Sequence, residues 1–158
     1  MGPNVTTQSL APERYCYLAP RVEGTSRSPR GSVRRHVRIA ASPDAIWALV
    51  GDPARVPEWF PGIESCTVDG TTRVIVTGAG LPMPEEIVTV DPLQRRFQYR
   101  ITVPFVVEHL STIDVFDLDD GTCLVSYSAD ANPSTMALVV AGAAGNALEF
   151  LKTKLEGA

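Results

Sequence analysis

The sequence predicts an α+β domain: a seven-stranded antiparallel sheet wrapped around one long C-terminal helix, with two short helices after the first strand. Apolar residues alternate with period two through most of residues 32 to 131, the pattern of strands with one wet face. The separators are short turn clusters, Asp69-Gly70, Gly78-Ala79-Gly80, Asp91-Pro92 and Asp119-Asp120-Gly121. Such turns join antiparallel neighbours and leave no room for crossover helices. A long run of helical spacing comes only after Asn132-Pro133. A chain of 158 residues, 44% hydrophobic and 20% charged, suits one domain with one core.

Val33, Arg35, Val37 and Ile39 alternate with Arg34, His36, Arg38 and Ala40 as a first strand. Ser42-Pro43-Asp44 then supplies an N-cap, a proline at the first helical position and an acid near the positive helix end. Ile46, Trp47, Leu49 and Val50 follow, and Gly51 stops the helix. Asp52-Pro53 repeats the start signal, Pro57 and Pro61 keep the second helix short, and Trp59-Phe60 supplies an aromatic anchor. Six strands are expected at Ile63 to Val68, Thr72 to Thr77, Glu85 to Val90, Phe97 to Val103, Val106 to Leu118 and Cys123 to Ala131. The closing helix runs to about Glu156 on Met136, Val140, Ala143, Ala147, Leu151 and Leu155.

Residues 1 to 31 carry Pro3, Pro12, Pro20 and Pro29 and one short apolar cluster, Tyr15 to Ala19. They read as a flexible arm before a domain spanning 32 to 158. The net charge of −4 gives nucleic acid no electrostatic help. Cys16, Cys66 and Cys123 are odd in number and widely spaced, which fits free thiols and a cytoplasmic location better than a disulfide framework. No basic start precedes an apolar leader, and polar residues interrupt the longest uncharged segment, Ala131 to Leu148, so membrane insertion is not expected. No zinc spacing is present and no cofactor is implied. A homodimer is left open.

Alternation places Phe97, Tyr99, Ile101 and Val103 on one face, followed by Val107, His109, Ser111, Ile113 and Val115, then Cys123, Val125, Tyr127 and Ala129. Opposite them the helix reads Ala141-Gly142-Ala143-Ala144-Gly145. Either these small side chains leave a void inside a strongly curved sheet, or they let the helix pack tightly with no hole. A mostly apolar void with a few polar groups would be a small-molecule site.

The element order, with the segment Ile39-Ala-Ala-Ser-Pro-Asp-Ala-Ile-Trp-Ala-Leu-Val50, resembles the START-like superfamily of polyketide cyclase/dehydrase and lipid-transport proteins. The match covers about residues 32 to 156. The chain is also similar to plant abscisic-acid receptors of that superfamily at Glu64-Ser-Cys-Thr-Val68, Thr72-Arg73, Gly80-Leu81-Pro82 and Ser126-Tyr127. The resemblance implies a helix-grip fold around a ligand cavity. It sets Leu81 and Pro82 in a gate loop at the mouth and makes Glu85 a pocket carboxylate. It also turns His109, Ser111 and Tyr127 inward. The receptors' pocket lysine aligns near Trp59-Phe60, and no lysine precedes Lys152. Their second loop is replaced near Thr102-Val103-Pro104-Phe105. Both departures argue against hormone sensing.

Glu85 at the rim of an apolar cavity would have its pKa raised by desolvation and be fitted for proton transfer. The strand alternates almost equally well with Glu85, Ile87 and Thr89 or with Glu86, Val88 and Val90 inward. His109 could shuttle protons or be a hydrogen-bonded core histidine. Arg73 could meet an anionic ligand group or lie on the surface. The expected ligand-binding set is Arg73, Leu81, Pro82, Glu85, Phe97, Tyr99, Ile101, His109, Ser111, Tyr127, Met136, Val140 and Ala143, with Glu85 and His109 as the catalytic candidates. The first reading is a protein that encloses a hydrophobic or aromatic, polyketide- or lipid-like molecule. The alternative is a polyketide cyclase/dehydratase in which Glu85 or His109 moves a proton during aldol closure and water loss. A third is an interaction module working through the gate loop or the arm.

Overall fold

The computed structural model describes residues 30–157. The expected arm lies outside the described residues except at its end, where Gly31 already belongs to the first strand. Strands β1 (Gly31–Ile39), β2 (Ile63–Asp69), β3 (Thr72–Thr77), β4 (Pro82–Asp91), β5 (Arg96–Ile101), β6 (Glu108–Asp117) and β7 (Cys123–Asn132) form one sheet in the order β1-β7-β6-β5-β4-β3-β2. Every pairing is antiparallel. Six strands therefore meander, and β1 closes the far edge against β7.

Between β1 and β2 the chain crosses from one sheet edge to the other through α1 (Pro43–Val50) and a 3-10 turn (Pro53–Glu58). Both start where expected. The Ala45 N–H donates to Ser42 Oγ at 3.2 Å and the Ala54 N–H to Asp52 Oδ1 at 2.9 Å, each satisfying a donor that the first turn leaves free. Ile46, Leu49, Val50 and Val56 go into the core.

The register of β4 is settled by its neighbours. Arg73 of β3 stands opposite Glu85, and Glu85 stands opposite Ile101 of β5. Met83, Glu85 and Ile87 thus turn inward, while the exposed Glu86 pairs across the outer face with Arg100 at 3.6 Å. A bulge between Ile87 and Thr89 then shifts the pairing by one residue. One strand with two alternating patterns is what an extra residue produces.

Two expectations are corrected here. The strand expected to reach Val103 ends at Ile101, and the next begins at Glu108 rather than Val106. Pro104 has no N–H for a ladder, and the Val106 N–H closes a turn onto Val103 O instead. Val107, expected inward, is 78% exposed.

The second correction concerns α2 (Ser134–Glu156). It packs on β1 and β7 through Ala137, Ala141, Ala144, Ala147, Leu148 and Leu151, all buried. Ala147 and Leu151 lie on the expected face; Met136, Val140 and Leu155 pack against the core only partly buried, and Ala143 is exposed. The alanines bring the helix close to the sheet, while Gly142 faces open space. Tight packing and a void therefore coexist: α2 covers the β1–β7 end, and β3 to β5 curl past it. By length and composition α2 could also cross a membrane, but in this fold that alanine and leucine face is core.

Candidate functional site

The space beside α2 is a cavity of about 210 Å3. β3 to β5 contribute Arg73, Ile75, Thr77, Met83, Glu85, Phe97, Tyr99 and Ile101, and β6 and β7 add Ile113 and Tyr127. The helix supplies Met136, Val139, Val140 and Ala143, and the stretch after the 3-10 turn supplies Trp59 to Ile63. Exposed lining residues mark the mouth: Pro61, Gly62, Val139 and Ala143. The floor is buried, with Phe97, Ile113, Tyr127 and Tyr99 at 4% exposure or less.

Polarity in this apolar space is concentrated in one cluster. Arg73 and Glu85 are almost fully buried, and Arg73 Nε donates to Glu85 Oε2 at 2.6 Å. Arg73 Nη1 also donates to the Pro53 carbonyl at 3.3 Å, which ties the cluster to the 3-10 turn. The guanidinium stands 4.6 Å from the Tyr99 ring centre and 5.0 Å from that of Phe97, within cation–π range. Tyr99 and Tyr127 hydrogen-bond through their hydroxyls at 2.5 Å. One of the two donates to the other, so a second hydroxyl proton remains available.

Desolvation raises the Glu85 carboxyl above its ordinary value, and the adjacent Arg73 offsets only part of that rise. Burial opposes the charge on Arg73, yet Glu85, Tyr99 and Tyr127 together hold its pKa above the usual value. Arginine does not give up its proton in proteins. Glu85, 2.6 Å away, is placed as the counter-charge of this buried guanidinium. Burial also pushes Tyr99 up to about 12 and Tyr127 well above its ordinary value, so both remain phenols.

Arg73, Glu85, Phe97, Tyr99, Ile101, Tyr127, Met136, Val140 and Ala143 all line the cavity, as the sequence reading placed them. Four other residues do not. Leu81 is 64% exposed and Pro82 opens β4. The expected gate is a tight hairpin turn, in which the Gly80 N–H donates to Thr77 O at 2.7 Å and Gly80 takes φ +74°, a conformation open to glycine. His109 and Ser111 face inward from β6 but are absent from the cavity wall. His109 Nδ1 accepts the Ile101 N–H at 3.0 Å, which puts the ring proton on Nε2, 3.1 Å from Ser111 Oγ. Burial lowers its pKa to about 4. With both nitrogens occupied, His109 is placed as a hydrogen-bonded core histidine, the second of the two readings its position offered.

The sequence reading missed the Trp59 to Ile63 wall. Its signal was present, because Trp59-Phe60 falls where the resembling receptors carry their pocket lysine. The Trp59 ring packs 5.7 Å from Phe60, and Phe60 meets Tyr127 edge-on at 6.4 Å. Trp59 Nε1 is buried and has no hydrogen-bond partner among the described residues. No lysine lines the cavity, so it holds no side-chain amine for Schiff-base chemistry. Burial raises the pKa of both Cys66 and Cys123, keeping them as thiols rather than nucleophiles.

A seven-stranded antiparallel sheet gripping a terminal helix, with an enclosed apolar space beside it, defines a START-like helix-grip domain. The chain belongs to the family described as polyketide cyclase/dehydrase and lipid transport, whose model matches residues 30–156. The protein XoxI from Bacillus cereus is 25% identical, with a TM-score of 0.75 over 80% of this chain and 96% of that one. Norcoclaurine synthase from Thalictrum flavum, in complex with a transition-state analogue, is 18% identical, with a TM-score of 0.67 over 85% and 98%. A START superfamily protein from Mycobacterium smegmatis is 20% identical, with a TM-score of 0.60 over 80% and 94%. The last two likenesses concern the fold alone. No curated protein sequence matches the chain.

Proposed function

We propose that this domain binds one small, mostly apolar molecule, with rings or a short chain, and orients it by a polar end against Arg73, Glu85, Tyr99 and Tyr127. The observation that carries the reading is the concentration of charge at one place on an otherwise apolar wall: among the described residues, Arg73 and Glu85 are the sole charged ones that line it. Apolar burial supplies affinity and the cluster supplies orientation. At the packing density of protein interiors, 210 Å3 holds about 150 Å3 of molecule. That volume suits one or two rings and excludes a long poly-carbonyl chain unless most of it projects from the mouth.

A second reading is favoured by the Glu85 carboxyl itself. Its Oε2 is engaged by Arg73, and the residue lines the cavity. In a cyclase/dehydratase, Glu85 would take a proton from the carbon between two carbonyls, the resulting enolate would attack a ketone within the same molecule, and the carboxylic acid would return that proton to the alkoxide. Glu85 would then take the second proton from the same carbon and deliver it to the departing hydroxyl, which leaves as water as the double bond forms. The small volume ranks this second.

Native mass spectrometry of freshly purified protein, followed by solvent extraction, tests the first reading. A bound compound that is released by solvent and rebinds at one site is the expected result. Protein that arrives empty and takes up no small aromatic compound at millimolar concentration would end it. Where candidate substrates are turned over, Glu85→Gln tests the second reading: turnover lost with most binding kept supports it, and turnover that survives overturns it.

A further inference from the structure

The Arg73–Glu85 pair decides more than orientation. Arg73 has the geometry of an anion receptor, and the sequence reading offered it an anionic ligand group. Its charge is already met by Glu85, 2.6 Å away across the β3–β4 hairpin, and among the described residues no third charged side chain lines the cavity. The cluster has no net charge to offer. From this, and resting on the binding role proposed above, we infer that the site selects uncharged oxygen-bearing ligands, ketones and phenols, and rejects their carboxylate counterparts.

A carboxylate entering the cavity gives up its hydration shell in an apolar enclosure. Whatever attraction it gains from Arg73 is offset by repulsion from Glu85 beside it. A ketone loses far less on desolvation. Its oxygen can accept from the remaining Arg73 N–H groups or from the spare hydroxyl proton of the Tyr99–Tyr127 pair. A phenol can in turn donate to Glu85 Oε1. The aromatic faces of Phe97 and Tyr99, 5.9 Å apart and nearly parallel, hold Arg73 in place without adding charge. Both faces are already turned to the guanidinium.

The test uses two probes with equal numbers of heavy atoms, 4-ethylacetophenone and 4-ethylbenzoate, titrated into the full-length protein at neutral pH by calorimetry or by competition with a fluorescent aromatic probe. The ketone is expected to bind about tenfold more tightly. In Glu85→Gln the guanidinium loses its counter-charge, and the order is expected to reverse. Wild-type affinities within about threefold of each other, or a carboxylate preference, would overturn the inference. That ratio is measured on the wild type, so it decides the matter even where the variant fails to fold. Binding of neither probe would instead remove the binding role beneath it, which the native mass spectrum checks separately.

Discussion

Arg73 and Glu85 show how a single cross-strand pair can hold the polarity of a whole cavity. Removing one partner strands a charge in an apolar space, so Glu85→Ala is expected to cost about 3–5 kcal/mol of stability by denaturant titration. Replacing both, as in Arg73→Met with Glu85→Leu, is expected to be neutral or stabilising. If the single variant costs less than about 1 kcal/mol, the pair is not the buried ionic unit described here. His109 makes the second residue-scale prediction. The unfolded imidazole takes up a proton near pH 6.5, whereas the folded one stays neutral down to about pH 4. Within that window the unfolded state holds more protons, so stability rises with pH and is lost as pH falls, by up to roughly 3 kcal/mol. His109→Gln should flatten that part of the profile. An unchanged slope would mean that other groups set it.

Elements impose their own requirements. Where β1 meets the first turns of α2, a Cβ on Gly31 would lie 2.9 Å from the Ser134 backbone and from the Ala137 methyl. Backbone cannot move aside as a flexible side chain can, so Gly31→Ala is expected to cost about 1–3 kcal/mol and to loosen the β1–α2 contact. Hydrogen exchange along α2 would report that loosening, and unchanged protection would argue against it. Legibility also varied by element. α1 was legible to the residue, because Ser42, Pro43 and Gly51 state both of its ends in local chemistry. β4 was ambiguous because its bulge between Ile87 and Thr89 satisfies both alternations, and only the pairing with β3 and β5 chooses between them. The Arg73–Glu85 contact lies between these cases. A hairpin centred on the Gly78-Ala79-Gly80 turn brings those two positions opposite each other, a step of arithmetic the sequence permits.

For the whole molecule, the cavity exists because a helix faced with alanine lies tight on one end of the sheet and leaves the other end to the Trp59 to Ile63 wall. Ala143 sits at the mouth, exposed and lining. Ala143→Phe is therefore expected to keep stability within about 0.5 kcal/mol while reducing uptake of aromatic probes at least severalfold. Stability and uptake that both stay at wild-type values would mean that entry is elsewhere. The sequence by itself determined the fold class, the order of elements and most of the inward faces, because period-two alternation, caps and turn residues are local chemistry. Tertiary structure decided that Leu81 stands exposed after a tight hairpin turn and Pro82 opens β4, that His109 and Ser111 stand off the cavity wall, and that Arg73 pairs with Glu85. Those outcomes depend on how curved layers close in three dimensions, and residue spacing along a chain does not encode that distance.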